Sequence, residues 1–92
     1  MLYKVLHQTL NEFSFEEQTV IYLYRVVKLP IGEIAELTEL SCRRVAGLLI
    51  LYSERLAFNL DTLNLPIGTE EIIESEKNVI QQSVYLSLGL AQ

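Results

Sequence analysis

Apolar residues recur at helical spacing along most of the chain. Leu2, Val5, Leu6 and Leu10 fall on one side of a short segment, with Lys4, Gln8 and Thr9 between them, which predicts a first helix over 2–10. Ser14-Phe15-Glu16-Glu17 then matches a capping box, in which the Ser14 hydroxyl and the Glu17 carboxylate satisfy backbone donors left unpaired at a helix start. A second helix is therefore expected to begin near Phe15. It carries Val20, Ile21, Tyr22, Leu23, Tyr24, Val26 and Val27, apolar nearly all round, and so is expected to be the most enclosed element. Its β-branched content also suits a strand; the cap, the length and the stop at Leu29-Pro30 favour helix, because the residue before proline is pushed out of helical geometry.

Pro30 suits the first turn of a third helix, where its missing N–H costs nothing, and Ile34, Ala35 and Leu37 give that helix an apolar face ending near Thr38. Glu39-Leu40-Ser41 forms a tight connection, with Ser41 placed to cap a fourth helix running to about Phe58. Helix, three-residue turn, helix is the geometry of a DNA-reading motif. Asn59 to Gly68 holds Asp61, Asn64, Pro66 and Gly68 and is expected to be a linker. Thr69-Glu70-Glu71 puts a cap and two acids at the positive end of a last helix, which runs to about Leu88 before Gly89 ends it. The strings Leu29-Pro30-Ile31-Gly32 and Leu65-Pro66-Ile67-Gly68 are identical, but the similarity stops there and marks no repeat. The expected organisation is all-α: a four-helix domain over 1–58, a linker over 59–68 and a C-terminal amphipathic helix over 69–92.

Ninety-two residues, half of them apolar and 21% charged, suffice for one compact core and exclude a disordered chain. No apolar run approaches the roughly 20 residues needed to cross a bilayer, and Met1-Leu2-Tyr3-Lys4 does not open a secretory signal, so a cytoplasmic protein without membrane contact is expected. Cys42 is the sole cysteine and His7 the sole histidine, so neither an intrachain disulfide nor a zinc site of the usual ligands is expected. The net charge of −5 opposes strong nonspecific nucleic-acid binding, which draws on Lys and Arg displacing counterions. That acidity lies mostly in the tail: residues 1–58 hold six basic and seven acidic groups, net −1, while 59–92 hold one and five, net −4.

At Gly32-Glu33-Ile34-Ala35-Glu36-Leu37-Thr38-Glu39-Leu40-Ser41, with Val45 and Leu49 following, the chain resembles region four of bacterial sigma factors of the sigma-70 type. The match is ungapped and extends back through Gln18, Val20, Leu23 and Leu29 and forward to Glu54-Arg55-Leu56, about half of the chain. Physically, Ile34, Ala35 and Leu37 pack the first helix of the motif, Leu40 plugs the turn, and Val45 and Leu49 seat the second helix. The resemblance implies a sigma region-four type fold whose second helix enters the major groove of a promoter element while other surfaces touch the polymerase. It implies that Ser41, Cys42, Arg43, Arg44 and Gly47 occupy the DNA-facing start of that helix. Arg43 and Arg44 are the only adjacent basic pair, and arginine pairs bidentately with guanine. Lys28 adds a candidate phosphate contact.

The chain also departs from that pattern. Members of the family commonly carry glycine in the turn where Glu39 stands, and several basic residues where this chain has Ala46, Leu48, Ile50 and Leu51. With Val45 at the centre of the buried face, helical spacing adds Leu49, Tyr52 and Leu56 to it and turns Ile50 and Leu51 to the opposite side with Arg43, Gly47 and Glu54. Leaving two such side chains bare forgoes roughly 3–6 kcal/mol of burial, so a cover is expected. The last helix is a candidate through Ile72, Ile73, Val79, Ile80, Val84, Leu86 and Leu88, folding back on its own domain or pairing with another copy. Ile50, Leu51, Ile73, Ile80, Val84 and Leu88 are thus the candidate protein-interface residues.

Other chemistry finds little support. His7 has no acid or nucleophile at recognisable spacing, and Ser, Cys and His assemble no nucleophile with its base, so no catalytic residues, cofactor or small-molecule substrate are expected. Glu70, Glu71, Glu74 and Glu76 read as a solvated helix face rather than a metal site. The tyrosines read as core and rim residues rather than a platform for single strands. Two functional forms stay open: a transcription regulator that binds duplex DNA, as a homodimer so that two weak half-sites add, or a sigma-like co-regulator or decoy that contacts RNA polymerase, a sigma factor or itself without DNA.

Overall fold

The computed structural model describes residues 1–63 and 68–88, with side chains described through Val84. Five helices and no strand occur among the described residues: α1 Leu2–Leu10, α2 Phe15–Arg25, α3 Ile31–Thr38, α4 Cys42–Asp61 and α5 Thr69–Leu88. The expected all-α class holds.

Local chemistry accounts for the helix ends. Ser14 accepts from the Glu17 N–H at 3.3 Å while the Ser14 N–H donates to Glu17 Oε1 at 2.8 Å, so the predicted capping box starts α2. This helix stops at Arg25, short of Leu29; Val27 and Lys28 lie in the connection, Lys28 in the left-handed region at φ 67°. Pro30 sits just before α3 and its carbonyl takes the Ile34 N–H, one position from the expected first turn. Past Phe58, α4 continues to Asp61, since nothing before Thr62 interrupts it. Asn59, expected in the linker, is helical and reaches back to donate to Thr9 Oγ1 at 2.7 Å and Glu12 Oε2 at 3.1 Å. At the start of α5, Thr69 is already helical and the Gly68 carbonyl receives the Ile72 N–H, so Thr69 is not the cap that its side chain suggested. Residues 64–67 of the expected linker, the stop at Gly89 and the side chains of Tyr85, Leu86 and Leu88 lie outside the described residues.

One core joins all five helices. Leu6 and Leu10 of α1, Val20 and Ile21 of α2, Ile34 and Ala35 of α3, Val45, Leu48, Leu49, Tyr52 and Leu56 of α4, and Val79, Ile80 and Val84 of α5 are buried together with Phe13. The deepest element is not α2 as expected, because its apolar C-terminal residues fall beyond the helix end or, like Tyr24, at the rim. Within α3, Ile31, Ile34, Ala35 and Thr38 share one side. Leu37 falls past its edge and is 66% exposed, contrary to the expected buried face.

The last helix lies mainly against α1 and α2. Ile80 and Val84, expected at a protein interface, are 1% and 3% exposed and face this core instead. The reason is geometric: Val79, Ile80 and Val84 fill the space between α1 and α2, while Ile73, on the same side of α5 but two turns earlier near the helix start, lies beyond that space and stays exposed.

Polar side chains reinforce the same joints. Gln18 Nε2 donates to the carbonyls of Leu10 and Phe13, both at 3.0 Å, and its Oε1 accepts from Ser83 Oγ at 3.1 Å, tying the α1–α2 corner to α5. The Tyr52 hydroxyl donates to Glu76 Oε2 at 2.6 Å, and Arg25 stands over the Tyr52 ring, 3.8 Å from Glu76 Oε1 and 3.3 Å from Ser53 Oγ. Glu76 is thereby buried, against the expectation of a solvated acidic face. Spacing explains it: Glu76 lies one turn from both Ile72 and Ile80, on the inner side of α5.

Candidate nucleic-acid interface

The candidate site is assembled where α3 hands over to α4. Glu39 takes the left-handed conformation at φ 59°, and the Leu40 N–H returns to the Ala35 carbonyl at 3.1 Å, closing α3 in the manner usually served by glycine. Leu40 is half-buried against the core. Ser41 then caps α4 through its hydroxyl, which accepts from the Arg44 N–H at 3.0 Å. Buried Val45, Leu48 and Leu49 hold one side of the helix start inward; Ser41, Cys42, Arg43, Arg44 and Gly47 are left facing solvent.

Arg43, Arg44 and Gly47 line a shallow depression of about 370 Å³ together with Leu48, Leu51 and Glu17, which reaches across from α2. An acid therefore shares the surface of the basic pair. Farther along α3, Glu33, Glu36 and Leu37 border a second depression that carries no cation. Lys28 is exposed but belongs elsewhere, in a cleft of about 490 Å³ between the end of α2 and α5, with Tyr24, Arg25, Leu29, Ile73, Glu74, Glu76 and Lys77. The structure thus gathers Arg43, Arg44 and Gly47 and separates them from Lys28.

Of the candidate interface residues, Ile50 is 61% and Leu51 47% exposed. The expected cover from α5 is not there, because α5 occupies the α1 and α2 side of the core. Ile73 is exposed but opens on the Lys28 cleft, apart from Ile50 and Leu51.

The cluster of Arg25, Tyr52 and Glu76 escaped sequence reading. Its one advance signal was an acid at the apolar spacing of α5, and the partner could not be read because it comes from another helix. Burial is the main force pushing the Tyr52 phenol well above its ordinary value; the Glu76 charge and hydrogen bond push it the same way, and Arg25 opposes them. The three side chains bond one another, and Arg25 and Glu76 also border the Lys28 cleft.

Among the described residues no group of His, Cys, Asp and Glu is placed to hold a metal ion, and no helix is long and apolar enough to cross a membrane. Set against family models, curated proteins and solved structures, the chain finds no match.

Proposed function

We propose that the chain regulates transcription through a helix-turn-helix of sigma region-four type, formed by α3, the turn at Glu39–Ser41 and α4, and that the start of α4 reads duplex DNA. The supporting observation is the division of α4 at its first turns, with Val45, Leu48 and Leu49 inward and Ser41, Cys42, Arg43, Arg44 and Gly47 outward. A groove-entering helix needs that division: an anchored back, an unobstructed N-terminal half, and donors suited to base edges. Arg43 and Arg44 supply bidentate donors for guanine, and the exposed Ser41 and Cys42 stand at the same end. The nearby Glu17 and the net charge of −5 make the affinity modest and salt-sensitive.

Fluorescence anisotropy of labelled duplexes with randomised sequence, at low salt, tests this. Saturable binding that is lost in the Arg43→Ala, Arg44→Ala double variant is the expected result. No binding at high micromolar protein ends the DNA reading.

A second reading is favoured by a separate observation, the bare Ile50 and Leu51 on the outer side of α4. In it the protein acts by contact with a partner such as RNA polymerase or a sigma factor. Replacing both residues by aspartate then releases the partner without disturbing the fold, and undiminished binding removes the idea.

A further inference from the structure

We infer that the outer face of α4 pairs with the same face of a second copy of this chain, antiparallel, about the midpoint between Leu48 and Leu49. This deepens the protein-contact reading by naming the occupant of the Ile50 and Leu51 surface. Three observations meet on that face.

The first is charge. Arg43 and Glu54 lie on one line along α4 with Gly47 and Ile50, at spacings of four, three and four residues, and all four are exposed. Arg43 and Glu54 are equally far from the helix midpoint, about 8 Å on either side. A two-fold rotation that reverses the helix therefore sets Arg43 of each copy against Glu54 of the other, twice over. Neither residue is engaged within its own chain; the ion pairs among the described residues are Arg25 with Glu76 and Arg55 with Glu12.

The second is shape. In the same register Gly47 of one copy meets Ile50 of the other, because these two are also symmetric about the midpoint. The surface is already hollow at Gly47, in the depression it shares with Arg43, Arg44 and Leu51. Leu51 of the second copy, one residue on, falls against the rim of that hollow.

The third is a glycine that the fold itself does not require. Gly47 is inside a helix, where glycine costs about 1 kcal/mol relative to alanine, and a Cβ placed there meets nothing within 4 Å. Close approach of another helix supplies the reason for it, as the absent side chain lets the Ile50 knob of the second copy sit against the backbone.

This pairing withdraws Arg43 and Gly47 from solvent, so self-association and DNA contact by the start of α4 exclude one another. That consequence rests on the DNA reading; the pairing does not.

Sedimentation equilibrium of the full chain, without DNA, over a rising concentration series is the test. The wild type is expected to approach roughly twice the monomer mass. Arg43→Glu and Glu54→Arg alone, which set like charges opposite each other, weaken association at least about tenfold, and combining them restores it. Gly47→Leu abolishes association while circular dichroism stays helical. A wild type that is monomeric throughout, a double charge reversal that stays as dissociated as either single change, or a Gly47→Leu variant that associates normally each overturns the inference. Because no DNA is present, a monomeric result sinks the pairing and leaves the anisotropy outcome to judge the DNA reading separately.

Discussion

The Tyr52 hydroxyl donates a 2.6 Å hydrogen bond to Glu76 Oε2, joining the middle of α4 to the inner side of α5 at a point where both residues are buried. The phenol is the donor that keeps a buried carboxylate satisfied, with Arg25 on its other oxygen. Tyr52→Phe therefore strands one carboxylate oxygen and is expected to cost about 1–3 kcal/mol in urea unfolding.

The same bond predicts an alkaline limit. The folded state holds the Tyr52 proton above its ordinary value, first through burial and then through the Glu76 charge. Above a pH of about 10 the unfolded chain loses that proton while the folded chain keeps it, so folding stability falls as pH rises, by about 1.4 kcal/mol per unit. Below that pH the contribution is fully present. Urea midpoints of the wild type and Tyr52→Phe measured from pH 8 to 11 should converge as pH rises, and parallel curves would refute the assignment.

Glu39 occupies a left-handed conformation that glycine adopts without steric cost. Glu39→Gly is expected to stabilise the chain by about 1 kcal/mol, read as a rise in the thermal midpoint. A fall would mean that the Glu39 side chain contributes something beyond its backbone geometry.

Ile50 of α4 and Ile80 of α5 should differ sharply in their response to substitution. Ile80→Ala removes a core side chain and is expected to cost about 2–5 kcal/mol. Ile50→Asp changes an exposed one and is expected to move the unfolding free energy of the monomer by no more than about 0.5 kcal/mol. Chemical denaturation at low protein concentration measures both.

Gln18 holds the α1–α2 corner by donating to Leu10 and Phe13 while accepting from Ser83. Gln18→Leu keeps similar volume but leaves buried polar groups without a partner, with an expected loss of about 1–3 kcal/mol. Hydrogen exchange should report the loss at both α2 and α5 rather than at α2 alone.

Elements with a local chemical cause were legible before any coordinates. The Ser14–Glu17 box, the Ser41 cap, the end of α3 at Thr38 and the inward line of Val45, Leu49, Tyr52 and Leu56 each follow from residues a few positions apart. What spacing could not convey is which helix lies beside which. Ile80 and Val84 are apolar at helical spacing whether they face a partner or their own core, and only the docking of α5 on α1 and α2 decides between the two. Leu37 shows the complementary limit, since in so short a helix a residue just past the packed side has no neighbour to cover it. At the candidate site, exposure of Arg43, Arg44 and Gly47 was legible from their offset to Val45. The reach of Glu17 into their depression depends on tertiary placement and was not.

Because α5 packs against α1, the first and last of the described helices meet in one core. During synthesis, then, Leu6 and Leu10 must wait for α5 to leave the ribosome before Val79, Ile80 and Val84 arrive to shield them. Maturation of the fold is tied to the emergence of α5, and a nascent chain halted before α5 displays greasy surface of the kind that chaperones bind.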